Sequence, residues 1–151
     1  MVLEIILFKL ISNDFKDNEN IPSEFTCDGK NISPHLSWSD APEETKSFAL
    51  SVTDPDSPGG LWIHWLVYDI SGDLSEIPQG ILSVGAKELD NDFGKNSYGG
   101  PCPSSGTHRY FFTLYALFTE KMEGLTKNNF LEKVKAFTLK KAEIMGYYKR
   151  Q

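Results

Sequence analysis

The sequence contains only two cysteines, Cys27 and Cys102, among its 151 residues. Two cysteines are too few for the disulfide framework of a small secreted scaffold, and their wide separation lacks the close spacing of a zinc or redox motif. We therefore expect a cytoplasmic protein in which Cys102, between two prolines, is an inert small residue and Cys27 belongs to a turn.

The chain also lacks an excess of basic residues. It carries 21 acidic and 15 basic side chains, for a formal net charge of -6. Because neutralising the phosphates of a nucleic acid requires a basic surface, this composition argues against nucleic-acid binding. The charge is uneven, since residues 121–150 hold 8 bases and 3 acids. We interpret this basic end as the solvated face of an amphipathic helix.

Long apolar runs are absent as well. The longest, residues 2–11, is interrupted by Glu4 and Lys9 and has no basic segment before it. It is therefore too short and too charged for a membrane span, and it does not have the form of a signal peptide. Because no repeat, linker or change of composition divides the chain, we predict one domain over residues 1–151.

The sequence does contain strand patterns, separated by loops rich in proline, glycine and serine. The strand candidates are residues 4–11, 47–53, 61–70 and 108–117. The second alternates large and small residues, which is typical of a half-buried strand. In the third, the same alternation predicts one face made of Trp62, His64, Leu66 and Tyr68.

Helical periodicity appears only near the C-terminus. Apolar residues recur there at helical spacing, in Phe130, Leu131, Val134 and Phe137. Thr126 or Asn128 can cap the start of this helix. A second short helix is predicted over residues 138–145, with Gly146 placed to end it. Together these patterns predict a mainly β, mostly antiparallel domain with short C-terminal helices.

A first group of chemically active residues follows the second strand candidate. The segment DPDSPGG, residues 54–60, ends that strand, and His64 lies in the next one. If the two strands pair as a hairpin, Asp54, Asp56 and His64 lie at the same edge of the sheet. Taken alone, the segment is typical of a turn and His64 of a hydrogen-bonded core histidine. In combination with a second motif, the group indicates a pocket.

That second motif lies before the last strand candidate. Residues 99–106, GGPCPSSG, lead into a strand whose alternation places His108 and Tyr110 on one face and Arg109 on the other. We therefore predict that Arg109 pairs with a carboxylate outside the pocket. Cys102 near a histidine could be an activated nucleophile, but no base and orienting group can be assigned, so the inert interpretation is favoured.

These motifs, in this order, resemble the phosphatidylethanolamine-binding protein family, in its bacterial and archaeal Raf-kinase-inhibitor-like branch. The resemblance covers nearly the whole chain and rests on DPDSPGG with WIHWLVYDI, on YGGPCPSSGTHRYFF, on DGKNISPHLSW and on AEIMGYYKR. Ile63 stands where eukaryotic relatives have a second histidine, in agreement with the prokaryotic pattern. Ser104 stands where a proline is common.

The resemblance implies a large antiparallel sheet packed on a smaller sheet, with a small anion pocket at one edge. The implied ligands are phosphate-type or phospholipid head groups, bound without catalysis and without a cofactor. A protein partner and a homodimer are compatible with the resemblance. By the matching motifs, the implied ligand-binding residues are Asp54, Asp56, Pro58, His64, Gly100, Pro101, His108 and Tyr110.

The residue types suggest how such a pocket would hold an anion. Gly99 and Gly100 would let the backbone approach it, while His64, His108 and Tyr110 would supply hydrogen-bond donors. Two aspartates beside an anion would conflict unless one carboxyl is protonated or the aspartates hold the histidines as charged donors. We therefore expect anion affinity to increase as the pH falls from about 7.5 towards 6, where an ordinary histidine titrates.

Three other functions remain open from the sequence. Kinase or protease inhibition by protein contact belongs to particular eukaryotic members of the family and transfers weakly. Two aspartates and two histidines could bind zinc or manganese, although no compact metal-ligand spacing occurs. Asp54, Asp56 and His64 could also serve a hydrolase as acid and base, but neither a positioned nucleophile nor a metal motif is evident. We therefore predict that the protein is not an enzyme.

Overall fold

Two β-sheets pack against each other in the computed structural model, which describes residues 6–151. The strands are β1 (Lys9–Ile11), β2 (Glu19–Asn20), β3 (Leu36–Ser39), β4 (Ser47–Asp54), β5 (Trp62–Ser71), β6 (Glu76–Ile77), β7 (Lys87–Glu88), β8 (His108–Leu117) and β9 (Thr138–Tyr148). The helices are α1 (Phe130–Phe137) and a short 3-10 helix (Ser23–Phe25). The small sheet has the order β1-β3-β6, and the large sheet has the order β2-β9-β8-β4-β5-β7. Because all pairs except β2 with β9 are antiparallel, the predicted fold class is confirmed.

The strand predictions agree with this architecture to different degrees. β8 has the bounds expected from the sequence, and β4 and β5 each agree to within one residue. The predicted first strand is shorter, because only Lys9–Ile11 pairs with β3. Residues 4 and 5 of that prediction lie outside the described part of the chain.

Strand β4 forms the centre of the large sheet, between β8 and β5. All of its residues are buried. Its large apolar side chains face the small sheet, where Trp38 packs on Phe48 with ring centroids 5.1 Å apart. Ala49 faces the opposite way, towards α1. The prediction of a half-buried strand is therefore wrong, because other elements cover both faces.

A β-bulge at His64 interrupts the alternation of β5. The residues on either side of His64 pair with consecutive residues of β4, which leaves His64 as the extra residue. A bulge of this kind re-aims side chains and is frequent beside functional sites. The prediction of a single face is wrong for Leu66 and Tyr68, which pack on the α1 side, whereas Trp62 and His64 lie on the other side.

The helix forms where the periodicity predicts it. α1 buries Phe130 and Val134 against the large sheet. Just before it, the side chains of Thr126 and Asn129 each accept a hydrogen bond from the other's backbone N–H, at 3.3 and 2.7 Å. This reciprocal pair orders the start of the helix, as capping residues do. In the described residues, no helix has the length and apolar character needed to cross a membrane.

The predicted second helix is wrong. Residues 138–145 belong to β9, which pairs with β8 along the length of both strands. Gly146, expected to end that helix, lies inside β9, where an added Cβ would lie 2.9 Å from the ring of Phe15. The local sequence is compatible with a helix, but pairing with a central strand overrides such weak local preferences.

Cys27 and Cys102 form a disulfide bond, contrary to the expectation that Cys102 is an inert thiol. Their Cα atoms are 5.5 Å apart, which lies within the range of ordinary disulfides. The bond joins the segment after the 3-10 helix to the loop before β8, and the Cys27 amide donates to the Pro101 carbonyl at 3.1 Å. Because 75 positions separate the two cysteines, no local spacing signal connects them.

Candidate functional site

A small cavity lies at the edge of the large sheet, where β4 ends and where β5 and β8 begin. Its volume is about 180 Å³. Its lining residues are Asp54, Ser57, Pro58, Trp62, His64, Phe93, Cys102, Pro103, Ser104, His108 and Tyr110. Of the predicted ligand-binding residues, the structure brings together at this cavity Asp54, Pro58, His64, His108 and Tyr110. The lining does not include Asp56, Gly100 and Pro101.

Asp54 and His108 form a buried pair in the cavity wall. Nδ1 of His108 lies 2.7 Å from Oδ2 of Asp54, and the side chains are 9% and 5% exposed. The second oxygen of Asp54 accepts a hydrogen bond from the backbone N–H of Asp56 at 2.7 Å. Both oxygens of this carboxylate are therefore satisfied, and Nε2 of His108 is the ring nitrogen left for a ligand.

Asp56 turns away from the cavity and pairs with Arg109. The guanidinium of Arg109 donates to both carboxylate oxygens at 2.8 and 2.9 Å, and the Arg109 backbone N–H donates as well, at 2.9 Å. These hydrogen bonds lower the pKa of Asp56 to about 2. Arg109 thus faces outward and binds a carboxylate, as the alternation of β8 predicts. The pair joins the DPDSPGG loop to the start of β8 and positions the cavity wall.

The loop before β8 holds the side chain of His64. Nδ1 of His64 lies 2.6 Å from the carbonyl oxygen of Gly99, so this nitrogen carries a proton. The ring packs edge-on against Phe93 and Tyr110, with centroids 5.3 and 5.2 Å apart. Burial lowers the pKa of His64 below the ordinary value of 6.5. His64 is therefore charged to a smaller extent between about pH 7.5 and 6 than an ordinary histidine, and it contributes less to the expected gain in affinity.

The depressed pKa of His64 predicts a pH-dependent stability. An unfolded chain binds a proton at this histidine near pH 6.5, whereas the folded protein binds it only at lower pH. The free energy of unfolding therefore decreases as the pH falls below 6.5. Denaturant titrations at several pH values, on the wild type and on His64→Phe, measure this contribution as the difference between the two profiles. Parallel profiles would contradict the assignment.

The hydroxyl of Tyr110 is a buried donor at the cavity. Tyr110 is fully buried, and its hydroxyl has no hydrogen-bond partner among the described residues. Burial raises the pKa of Tyr110, the charge of the nearby Asp54 carboxylate raises it further, and the Cys102 backbone amide opposes the increase. Neither neighbour lies in the geometry of a hydrogen bond with the hydroxyl. The hydroxyl is therefore protonated at neutral pH. A buried hydroxyl without a partner costs about 1–3 kcal/mol, so its retention beside a cavity points to a bound ligand.

The two glycines at the start of the loop use their amides within the protein. The Gly99 N–H donates to the His64 carbonyl at 3.1 Å, and the Gly100 N–H donates to Oδ1 of Asn31 at 2.8 Å. The expectation that these glycines let the backbone approach an anion is therefore wrong. Their small size instead lets the loop pack closely, since a Cβ on Gly99 would lie 2.6 Å from the ring of Phe93.

Phe93 lines the cavity, although it was missed as a site residue. It follows β7 in the polar stretch NDFGKNS, and its ring packs edge-on against Trp62 with centroids 5.5 Å apart. Asn91 folds this loop over the site, because its Nδ2 donates to the carbonyl oxygens of His64 and Ser97 at 3.2 and 2.8 Å. A lone aromatic residue in a polar loop was the available signal, but nothing local indicates where the loop packs.

The two aspartates and two histidines considered as metal ligands bond to other protein groups and do not share one metal site. Asp54 and His108 bond to each other, and Asp56 bonds to Arg109. Between residues 6 and 151, no three His, Cys, Asp or Glu side chains come together in the manner of a metal site. The cavity therefore offers a wall of hydrogen-bonding groups and aromatic rings.

The two packed sheets and the cavity at the edge of the large sheet define a two-sheet β domain with a small site at strand ends. The sequence profile of the phosphatidylethanolamine-binding protein family matches residues 11–149. Because this match covers more than half of the chain, the protein belongs to the phosphatidylethanolamine-binding protein family.

Similar proteins occur in bacteria and archaea. The chain is 44% identical to a UPF0098 protein of Aquifex aeolicus, over 95% of this chain and 90% of that protein. It is 43% identical to a UPF0098 protein of Methanothermobacter thermautotrophicus, over 93% and 98% of the two chains. The crystal structure of Escherichia coli YbcL, described as a member of the mammalian PEBP family, superimposes with a TM-score of 0.90. That comparison has 35% identity and covers 95% of this chain and 99% of YbcL.

Proposed function

We propose that the protein is a non-enzymatic module that binds a small phosphate-type anion, such as phosphate or a phospholipid head group, in this cavity. The observation that carries the proposal is the fully buried Tyr110 hydroxyl, which lacks a partner among the described residues. Nε2 of His108 is a second group available to a ligand, because Asp54 occupies the other ring nitrogen. The family takes its name from binding phosphatidylethanolamine, whose head group contains a phosphate, and this supports the same ligand class.

The size of the cavity supports a small ligand. Its volume of about 180 Å³ lies below the range of about 300–1,000 Å³ that is usual for drug-sized ligands. It corresponds to the liquid volume of about six waters, which accommodates a phosphate with a short substituent. A lipid would therefore place its head group in the cavity and leave its acyl chains outside.

The local ion pairs reconcile an anion with the nearby aspartates. Asp54 directs both oxygens at protein donors, and Asp56 is neutralised by Arg109 outside the cavity. In the cavity, the Tyr110 hydroxyl and Nε2 of His108 are therefore free to bond a phosphate, while both aspartates are already bonded to protein donors. Hydrogen bonds to a charged ligand are worth about 1.5–3 kcal/mol each, so the loss of one of these donors should weaken binding measurably.

Removing the Tyr110 hydroxyl should abolish most of the phosphate affinity. We expect Tyr110→Phe to weaken the binding of inorganic phosphate and phosphoethanolamine by about 10-fold or more, because one hydrogen bond to an anion is lost. An amide-shift titration of labelled protein measures the affinity and locates the site. Tyr115→Phe is the matched control, since Tyr115 lies on the same strand and its hydroxyl contacts Ser51 at 3.0 Å, away from the cavity.

The same two variants should change stability in opposite directions. Without ligand, Tyr110→Phe removes a buried unpartnered hydroxyl and should raise the free energy of unfolding by about 1 kcal/mol. Tyr115→Phe breaks a hydrogen bond and should lower it by about 1 kcal/mol. Denaturant titrations measure both values. Unchanged phosphate affinity in Tyr110→Phe, or shifts spread away from the cavity, would refute the proposed function.

Regulation of a protein partner, inhibition by protein contact and formation of a homodimer remain predictions. The absence of catalysis also remains a prediction, and a phosphomonoester turnover assay on the wild type tests it. A cytoplasmic location is likewise untested. The Cys27–Cys102 bond counts against it, since disulfides persist mainly in oxidising compartments and are rare in the cytosol of mesophiles.

A further inference from the structure

The disulfide bond lies in the wall of the cavity. Cys102 lines the cavity together with its neighbours Pro103 and Ser104. Both cysteines are partly exposed, so a thiol reagent has access to the bond. Cys27 is not among the lining residues, so the disulfide joins the cavity wall to a segment outside the cavity.

The loop before β8, residues 98–107, forms part of the cavity wall. The disulfide anchors the second half of this loop. The first half has its own hydrogen bonds to the segment around the 3-10 helix, from the Tyr98 hydroxyl to the Phe25 carbonyl at 2.7 Å and from the Gly100 amide to Asn31 at 2.8 Å. Beyond Cys102, residues 104–107 are exposed until β8 begins. Breaking the disulfide leaves the loop attached up to Pro101, whose carbonyl still accepts a hydrogen bond from the Cys27 amide at 3.1 Å. It frees the part beyond Pro101, which lines the cavity.

We propose that Cys27 and Cys102 are a thiol-disulfide exchange site whose redox state controls anion binding in the cavity. The inference rests on the proposed function and adds a dithiol reductant as a second reactant. A thiolate of the reductant bonds to Sγ of Cys27, the Cys27–Cys102 bond breaks, and the electron pair remains on Sγ of Cys102, which takes up a proton. The second thiol of the reductant then displaces Cys27. The products are two protein thiols and one disulfide of the reductant.

One physical effect couples this exchange to the ligand. Cys102 and Pro103 line the same cavity as Tyr110, and a released wall no longer closes the cavity on that side. Water then competes with the anion for the donors of the cavity, which weakens each hydrogen bond to the anion. Because the coupling between two equilibria is reciprocal, the anion must protect the disulfide by the same factor by which reduction weakens anion binding.

The test measures phosphate affinity and disulfide equilibrium in the full chain. We expect the protein reduced with dithiothreitol to bind inorganic phosphate about 10-fold more weakly than the oxidised protein. Saturating phosphate should then lower the equilibrium constant for reduction by dithiothreitol by the same factor. The variant Cys27→Ser/Cys102→Ser is the matched control, with the weaker affinity both with and without dithiothreitol. Equal affinities of the oxidised and reduced wild type would overturn the proposal.

A measurement without ligand separates this proposal from the proposed function. Amide order parameters from NMR relaxation should fall from about 0.85 towards 0.6 at Cys102 and Ser104 on reduction, and those of β8 should not change. Failure of the oxidised protein to bind phosphate would refute the proposed function, and the order parameters would then decide whether the disulfide holds this part of the cavity wall in place. Unchanged values at Cys102 and Ser104, or an equal fall in β8, would show that it does not.

Discussion

Reduction of the Cys27–Cys102 bond should lower the free energy of unfolding by about 4 kcal/mol. The bond closes a loop across a sequence separation of 75 positions, and the loss of chain entropy in the unfolded state increases with loop length. A loss of this size is a large part of the total stability of about 5–15 kcal/mol that is usual for a single domain. Denaturant titrations in the presence and absence of dithiothreitol measure it.

The control for this prediction is the variant Cys27→Ser/Cys102→Ser. It lacks the bond under both conditions, so dithiothreitol should leave its stability unchanged. A wild type that loses less than about 1 kcal/mol on reduction would show that the two segments stay together without the bond, and the entropy argument would fail. The experiment is independent of any ligand.

The substitution Gly100→Ala should lower the free energy of unfolding by about 3 kcal/mol or more. A Cβ at this position would lie against the carbonyl oxygen of Phe25 and 2.9 Å from Cα of Thr26. Both are backbone atoms, so a side-chain rotation cannot relieve the overlap. The loop would have to move away from the 3-10 helix, and the hydrogen bond from Gly100 to Asn31 would be lost.

Gly59→Ala is the matched control for that substitution. Gly59 belongs to the other glycine-containing loop at the cavity edge, and an added Cβ there meets no atom of the described residues within 4 Å. Its stability should therefore stay within about 0.5 kcal/mol of the wild type, as for most surface substitutions. Thermal melts of the two variants side by side test the comparison, and a similar cost for both would contradict the packing argument.

Local sequence patterns were sufficient for the elements that a single stretch of chain specifies. β8 follows from its aromatic alternation, and α1 follows from apolar residues at helical spacing. The same alternation correctly separates His108 and Tyr110 from Arg109, because β8 contains no bulge before them. These predictions succeed where the spacing of side chains along the chain also determines the faces they occupy.

The predictions failed where a distant element changes the outcome. The bulge at His64 depends on pairing with β4, and the strand character of residues 138–145 depends on pairing with β8. Neither partner is visible in the local pattern. Of the residues implied for ligand binding, Asp56 lies outside the cavity because Arg109 binds it. That pair forms across 53 positions of the sequence.

The sequence by itself determined the strand-rich class, the helix before the last strand, and the two motifs that reach one edge of the large sheet. These follow from composition and from short-range periodicity, which depend only on neighbouring residues. Only the tertiary structure decided that Cys27 and Cys102 are bonded, that Phe93 covers His64, and that the Tyr110 hydroxyl is buried at a cavity. The physical reason is that each of these features requires segments far apart in the chain to pack together.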